Sequence, residues 1–108
     1  MQNALEQGSF ALDALAEMQC RHPSIGHVRG KGLMLGVEFV KDRQTKEYAH
    51  KLRDRILDRA FGHGLLVLGC GESAVRVSPP LNIPRRLLDE GLRILDTAIG
   101  EAEAQGLD

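Results

Sequence analysis

The chain carries no excess of charge of either sign: fourteen basic side chains stand against fifteen acidic ones in 108 residues, a net charge of −1. That balance removes the electrostatic reason to expect nucleic acid or an anionic membrane as a partner. No apolar run approaches the roughly 20 residues that a membrane helix needs, and the start lacks the basic-then-apolar order of a signal peptide. A cytoplasmic location is therefore expected. Cysteine is scarce, with only Cys20 and Cys70, far apart and without a CxxC spacing. A disulfide between them is conceivable, but free thiols in a reducing compartment are the expectation. The histidines, His22, His27, His50 and His63, lack ligand spacing such as HxxxH, so no metal site is expected. There is no internal repeat, low-complexity stretch or linker to divide the chain. What remains is 43% hydrophobic and 27% charged, ordinary for one soluble globular domain, residues 1–108, with a modest core.

Hydrophobic period assigns the elements. Leu5, Leu12, Leu15 and Met18, with Ala4, Ala11 and Ala16 beside them, recur at helical spacing over residues 2–20. Gly8 is the one breaker inside that stretch, and His22-Pro23 ends it because a residue before proline disfavours the helical region. From Ile25 to Val40 the period becomes two: Leu33, Leu35, Val37 and Phe39 point one way, Met34, Gly36, Glu38 and Val40 the other. Gly30 and Gly32 interrupt this run and predict a bulge or tight bend between two extended pieces. A polar turn, Asp42–Thr45, follows, with Thr45 as a candidate helix cap. Ala49, Leu52, Ile56 and Ala60 mark a second helix over 46–61, stopped by Gly62 and Gly64. Leu65–Leu68 reads as a strand, Gly69–Ser73 as a loop, and Ala74–Ser78 as a strand ended by Pro79-Pro80. Leu88, Leu92, Leu95, Ile99 and Ala102 then form one stripe of a helix that begins at Pro84 and runs to about residue 103. The expected fold is α+β, in the order α-β-β-α-β-β-α, with a mostly antiparallel sheet and helices on one face.

Few side chains offer chemistry. Arg76 alternates with Val75 and Val77 and so projects from the opposite sheet face. It reads either as a solvated strand arginine or as a carboxylate clamp, since a guanidinium donates two parallel hydrogen bonds in the geometry a carboxylate accepts. Gly69-Cys70-Gly71 lacks the GxxxxGK[ST] and GxGxxG spacings, which argues against nucleotide phosphate. Cys70 and Gly71 read equally as pocket lining or as a plain hairpin turn. Arg29-Gly-Lys-Gly32 resembles an anion site superficially, but a sharp strand bend with two solvated basic residues is the preferred reading.

Two segments read together carry more than either alone: Val28-Arg-Gly-Lys-Gly-Leu-Met-Leu-Gly-Val-Glu-Phe-Val40 and Gly64-Leu-Leu-Val-Leu-Gly-Cys-Gly-Glu-Ser-Ala-Val-Arg-Val-Ser-Pro-Pro-Leu81. With His22-Pro23 and Ile25–Gly30 before them, they resemble the C-terminal small domain of class III aminotransferases, the ornithine and 4-aminobutyrate type. The resemblance covers nearly the whole chain. It implies a pyridoxal 5′-phosphate enzyme of fold type I that moves an amino group from an amino acid to a 2-oxo acid. The Gly-Cys-Gly turn is most similar to the 4-aminobutyrate branch. Ornithine or acetylornithine aminotransferase is the alternative within the family. By the same resemblance Arg76, just before Pro79-Pro80-Leu81, holds the substrate carboxylate, and Cys70 and Gly71 line the pocket.

The cofactor lysine of such enzymes lies deep in the large domain, where burial and neighbours tune it. Here the lysines are Lys31, Lys41, Lys46 and Lys51, none in a matching context. The aspartate for the pyridine nitrogen and the phosphate-binding loop are missing too. The expectation is thus a fragment of a larger enzyme, with no catalytic or cofactor-binding residue of its own and inactive alone. Its implied partners are its own large domain, a second copy in a homodimer, and amino acid and 2-oxo acid substrates. Two rivals stand beside this reading: a ligand-binding regulatory module with a ferredoxin-like fold, whose βαββαβ order this chain does not follow, and a purely structural domain.

Overall fold

A computed structural model describes residues 2–32, 34–65, 67–71, 73–79 and 83–106, without the side chains of residues 2–4. Leu33, Leu66, Glu72, Pro80 and Leu81, and the side chain of Ala4, which the sequence reading used, lie outside the described residues. The elements are α1 (Gln2–Arg21), β1 (Ile25–Lys31), β2 (Met34–Asp42), β3 (Glu47–Tyr48), α2 (His50–Gly62), β4 (Leu68–Cys70), β5 (Ala74–Val77) and α3 (Arg85–Glu103). All described pairings are antiparallel, in the order β1-β2-β5-β4, with β3 added at the end of β2. The fold is α+β, as the periodicity predicts.

The sheet's two faces differ because the strands alternate. Leu35, Val37, Phe39 and Val75 are buried on the helix side, where α1 and α2 lie against the strands and α3 packs across both helices. Helix α3 contributes Leu88, Leu92, Leu95, Ile99 and Ala102 to this core, the stripe read from the sequence. Helix α2 contributes Leu52, Ile56 and Ala60.

Local expectations are met in part and corrected in part. In α1 the buried side is Gln7, Ala11, Leu15 and Met18, whereas Leu5 is 62% exposed and Ala16 is exposed. Gly8 is no mere breaker: a methyl there would collide with the Gly32 carbonyl, because the β1–β2 turn rests on the helix at this point. The tight bend expected between the two extended pieces is present at Gly32, at φ +58°, while Gly30 lies in β1 opposite Leu35 and the ladder irregularities fall at Ile25/His27 and Val40/Asp42. Finally, α2 starts at His50 rather than 46, and Thr45 does not cap it. Residues 47–48 are held extended by pairing with Val40 and Asp42, and the Thr45 hydroxyl accepts from the Glu47 amide at 3.4 Å.

The fourth strand also shifts. Pairing of Leu68 with Arg76, Gly69 with Val75 and Cys70 with Ala74 draws Gly69-Cys70 into the ladder. The expected loop is shorter by these two residues.

Candidate functional site

Strand β5 sets the site. Val75 faces the core, so Arg76 stands on the opposite face, which none of the described helices covers. It shares a cross-strand row with Arg29, Gly36 and Leu68. Gly36, its neighbour on β2, has no side chain, so the approach to Arg76 from that side stays low. The Arg29 side chain leans over the glycine: a Cβ on Gly36 would lie 3.4 Å from Arg29 Nε. The Arg29 guanidinium sits 3.6 Å from Glu38, an exposed pairing that contributes little energy. Together Arg29, Lys31, Gly36, Cys70 and Arg76 border an open cleft of about 390 Å³.

Arg76 is exposed, and its polar partner among the described residues is a sulfur: Nη2 donates to Cys70 Sγ over 3.7 Å. No described carboxylate pairs with it. A guanidinium left with a thiol as its neighbour keeps its planar fork open to an incoming carboxylate. The structure thus brings Arg76 and Cys70 side by side. Gly71, one residue on, sits at φ +59° with open space around its Cα. Its glycine is required by the left-handed turn, not by close approach of anything in this domain.

One residue of this region was not visible in the sequence. Arg53 of α2 looks there like one more charge on a solvated helix face. Its side chain is only 13% exposed. Nη1 donates to the carbonyl of Ala74 at 2.9 Å, with those of Cys70 and Gly71 at 3.4 and 3.5 Å. Gly69 makes room for it, since a Cβ there would be 3.1 Å from Arg53 Nη1 and 3.3 Å from Leu57 Cδ1. The only sequence trace of this contact is the glycine itself.

The remaining polar features are of another kind. At the far end of α1 the His22 ring nitrogens lie 2.7 Å from Glu103 and 2.5 Å from Asp96. Glu103 also accepts from the Ser24 amide and hydroxyl. This cluster ties the start of β1 to α3, and Asp96 also borders an open groove between α1 and α3. A second recess of about 230 Å³, between α3 and the chain after β5, is lined by Leu65, Val67, Ile83, Leu87 and Leu92 and offers almost nothing to orient a ligand. Cys20 and Cys70 are both free. Among the described residues no three His, Cys, Asp or Glu side chains converge as metal ligands would, and no helix is long and apolar enough to cross a membrane.

The lysines do not fit a covalently held aldehyde cofactor. Lys31, Lys46 and Lys51 are exposed, and Lys41 is half-buried beside Glu47 at 3.3 Å. None is desolvated as a reactive lysine must be. Pyridoxal phosphate is thus not held by these residues.

The comparisons with known proteins agree with the geometry. A sequence model described as aminotransferase class-III matches residues 1–99. A leucine/methionine racemase of Thermococcus litoralis is 43% identical over 103 residues, covering 95% of this chain and 23% of its own length. The 4-aminobutyrate aminotransferase GabT of Escherichia coli is 33% identical over 105 residues, 95% of this chain and 25% of its own length. A solved aminotransferase of Bacillus anthracis superposes with a TM-score of 0.87 at 28% identity, over 92% of this chain and 24% of that one. The chain spans about a quarter of the length of these relatives. With the match running through nearly every element, and with Arg76 and the glycine turns inside it, the chain belongs to the class III aminotransferase family, whose enzymes depend on pyridoxal phosphate.

Proposed function

We propose that this chain is the C-terminal small domain of a larger pyridoxal-phosphate enzyme, and that Arg76 holds the carboxylate of an amino acid as its amino group passes to a 2-oxo acid. The observation that carries the reading is Arg76 itself: exposed on the uncovered sheet face, beside Gly36, with a thiol and no described carboxylate as its partner. The cofactor supplies the electron sink, and the large domain holds it. The part of this domain is to fix the carboxylate, so that the reacting bond is oriented, and to help exclude water when the domains close. Cys70 and Gly71 line the same side of the pocket. Alone, the chain is inactive. The whole enzyme is a cytoplasmic homodimer, of the 4-aminobutyrate type or, alternatively, the ornithine or acetylornithine type.

A second reading has a specific basis. The racemase from Thermococcus litoralis is more similar to this chain than GabT is, at 43% against 33% identity. A racemase needs the same carboxylate grip but no second substrate. Chiral analysis of the full-length enzyme separates the two: inversion of an amino acid without consumption of a 2-oxo acid supports the racemase, and stoichiometric oxo-acid consumption the transaminase.

Replacing Arg76 tests the site under both readings. Arg76→Lys keeps the charge but loses the planar fork, and a hydrogen bond to a charged group is worth roughly 1.5–3 kcal/mol. In the full-length enzyme kcat/KM for amino acids falls about 10- to 100-fold, while cofactor absorbance stays as in the wild type. Unchanged kinetics with every amino acid and oxo acid would make Arg76 a solvated strand residue.

A further inference from the structure

Strand β5 is four residues long and β4 only three. Pairing with β2 holds β5 along its other edge, but β4 is an edge strand, and three residues of ladder do not by themselves fix the turn that joins it to β5. A contact from outside the ladder is needed to fix that turn if Cys70 and Arg76 are to keep one geometry toward a carboxylate. We infer that Arg53 is a positioning residue for the carboxylate site: from the helix side of the sheet it grips the β4–β5 turn and so sets where Cys70 and Arg76 stand on the other side. The inference rests on the reading of Arg76 as the carboxylate clamp.

Three observations carry it. The first is the set of acceptors. Arg53 Nη1 donates to Ala74, two residues before Arg76, and lies near the carbonyls of Cys70 and Gly71 on the other limb, so one guanidinium spans both limbs of the turn. The second is Gly69. Its partner Val75 is buried, so position 69 also faces the helices, where a Cβ would crowd Arg53 Nη1 at 3.1 Å and Leu57 Cδ1 at 3.3 Å. The glycine clears the path by which the guanidinium reaches the turn. The third is local order on α2. Arg53 Nε donates to Asp54 at 2.9 Å and the helix packs against β4 and β5, so the side chain starts from a rigid base. Charge-assisted bonds to carbonyls from a mostly buried arginine are stronger than neutral ones. The Gly-Cys-Gly motif then divides by cause: Gly69 admits Arg53, Gly71 makes the left-handed turn, and Cys70 is left next to Arg76.

Cys70 supplies a direct test in the 108-residue chain. Iodoacetate and iodoacetamide alkylate the same thiol, but only iodoacetate brings a carboxylate to the position that Arg76 commands. The measurement is the ratio of the two rates at Cys70, read by peptide mass spectrometry, with Cys20 as internal reference. Arg76 should raise that ratio about fivefold over Arg76→Ala, equivalent to ~1 kcal/mol, the size of a unit-charge contact near 4 Å in water. Arg53→Met keeps the stem against Gly69 and Leu57 but has no donors, and it should bring the ratio down to the Arg76→Ala level with Arg76 still in place. Arg53→Lys, which retains charge and donors, should recover at least half of the preference. Leu57→Ala, a packing change on the same helix that leaves the donors intact, should keep it. If Arg53→Met retains the full preference, or if Leu57→Ala abolishes it equally, Arg53 is structural only and the inference falls while the Arg76 reading stands. If Arg76→Ala itself leaves the ratio unchanged, the carboxylate reading fails, and the inference with it.

Discussion

Glycine to alanine inside a helix ordinarily stabilises a protein by about 0.4–1 kcal/mol, through the lost freedom of the unfolded chain. Two helical glycines here should respond with opposite signs. At Gly100 in α3 the nearest atom to an added Cβ is His22 Cε1 at 3.7 Å, an ordinary contact. At Gly8 in α1 the new methyl would overlap the Gly32 carbonyl, and backbone cannot step aside as a side-chain tip can. Gly32 is itself held at φ +58° in the β1–β2 turn, so relieving the overlap means lifting the hairpin off the helix. Overpacking of that kind costs about 1–3 kcal/mol. Subtracting the helix-propensity gain leaves a net loss of roughly 0.5–2.5 kcal/mol for Gly8→Ala. Gly100→Ala should gain about 0.5 kcal/mol. Urea unfolding followed by circular dichroism checks both, as a lower midpoint for Gly8→Ala and a higher one for Gly100→Ala with unchanged slope. In a thermal scan the Gly8→Ala loss corresponds to several degrees, at about 4–8 °C per kcal/mol for a domain of this size. A Gly8→Ala protein as stable as Gly100→Ala would mean that the turn does not rest on α1, and the account of this glycine would be wrong.

Further outcomes can be stated more briefly. Glu103→Ala should cost roughly 2–3 kcal/mol in urea unfolding, because it leaves the Ser24 amide and hydroxyl without their acceptor in a buried position. A loss below about 0.5 kcal/mol would show that the cluster around His22 is solvated. Mixed with pyridoxal phosphate, the 108-residue chain should show only scattered labelling of its exposed lysines after borohydride reduction; one stoichiometric adduct at a single lysine would refute the statement that no lysine here suits the cofactor. Leu92→Ala should lose about 2–5 kcal/mol, since its side chain is buried in the core stripe of α3, and a near-neutral result in the same unfolding assay would contradict that packing.

The sequence shows most where one period dominates. The stripe from Leu88 to Ala102 is regular enough that α3 differs from its expected start by a single residue. The alternation Val75-Arg76-Val77 likewise places Arg76 on the uncovered face, because a strand leaves no other choice. Legibility fails where tertiary contacts override period. Gln7 is buried although polar, since its side-chain amide donates to the Ile83 carbonyl and its oxygen accepts from Arg85 Nε. Leu5 is exposed although apolar, because the neighbouring face of α1 carries those contacts. Residues 47–48 form a strand too short to leave a pattern. Arg53 is hidden for a related reason: helix periodicity says only that a charge lies off the apolar stripe, not that a glycine on another element has made space for it.

The uncovered face also explains why Arg76 would matter more under the proposed function, in a larger protein, than in this domain. Around Arg76 lie Gly36, the half-buried Cys70 and two exposed apolar side chains, Leu68 at 59% and Met34 at 68% exposure. In water, a carboxylate contact with Arg76 competes with a high dielectric and is worth about 1 kcal/mol. Exposed leucine and methionine beside Arg76 and the other cations of the cleft do not improve that by themselves, but under the proposed function they are the surface that the large domain would cover. Covering them would remove water from the guanidinium's surroundings and lower the local dielectric, so the same contact would strengthen several-fold in energy. A carboxylate would then repay part of the desolvation of Arg76, whereas a neutral ligand would leave a buried cation unpaired. The discrimination therefore depends on closure, and the alkylation contrast at Cys70 in the open domain sets its lower bound.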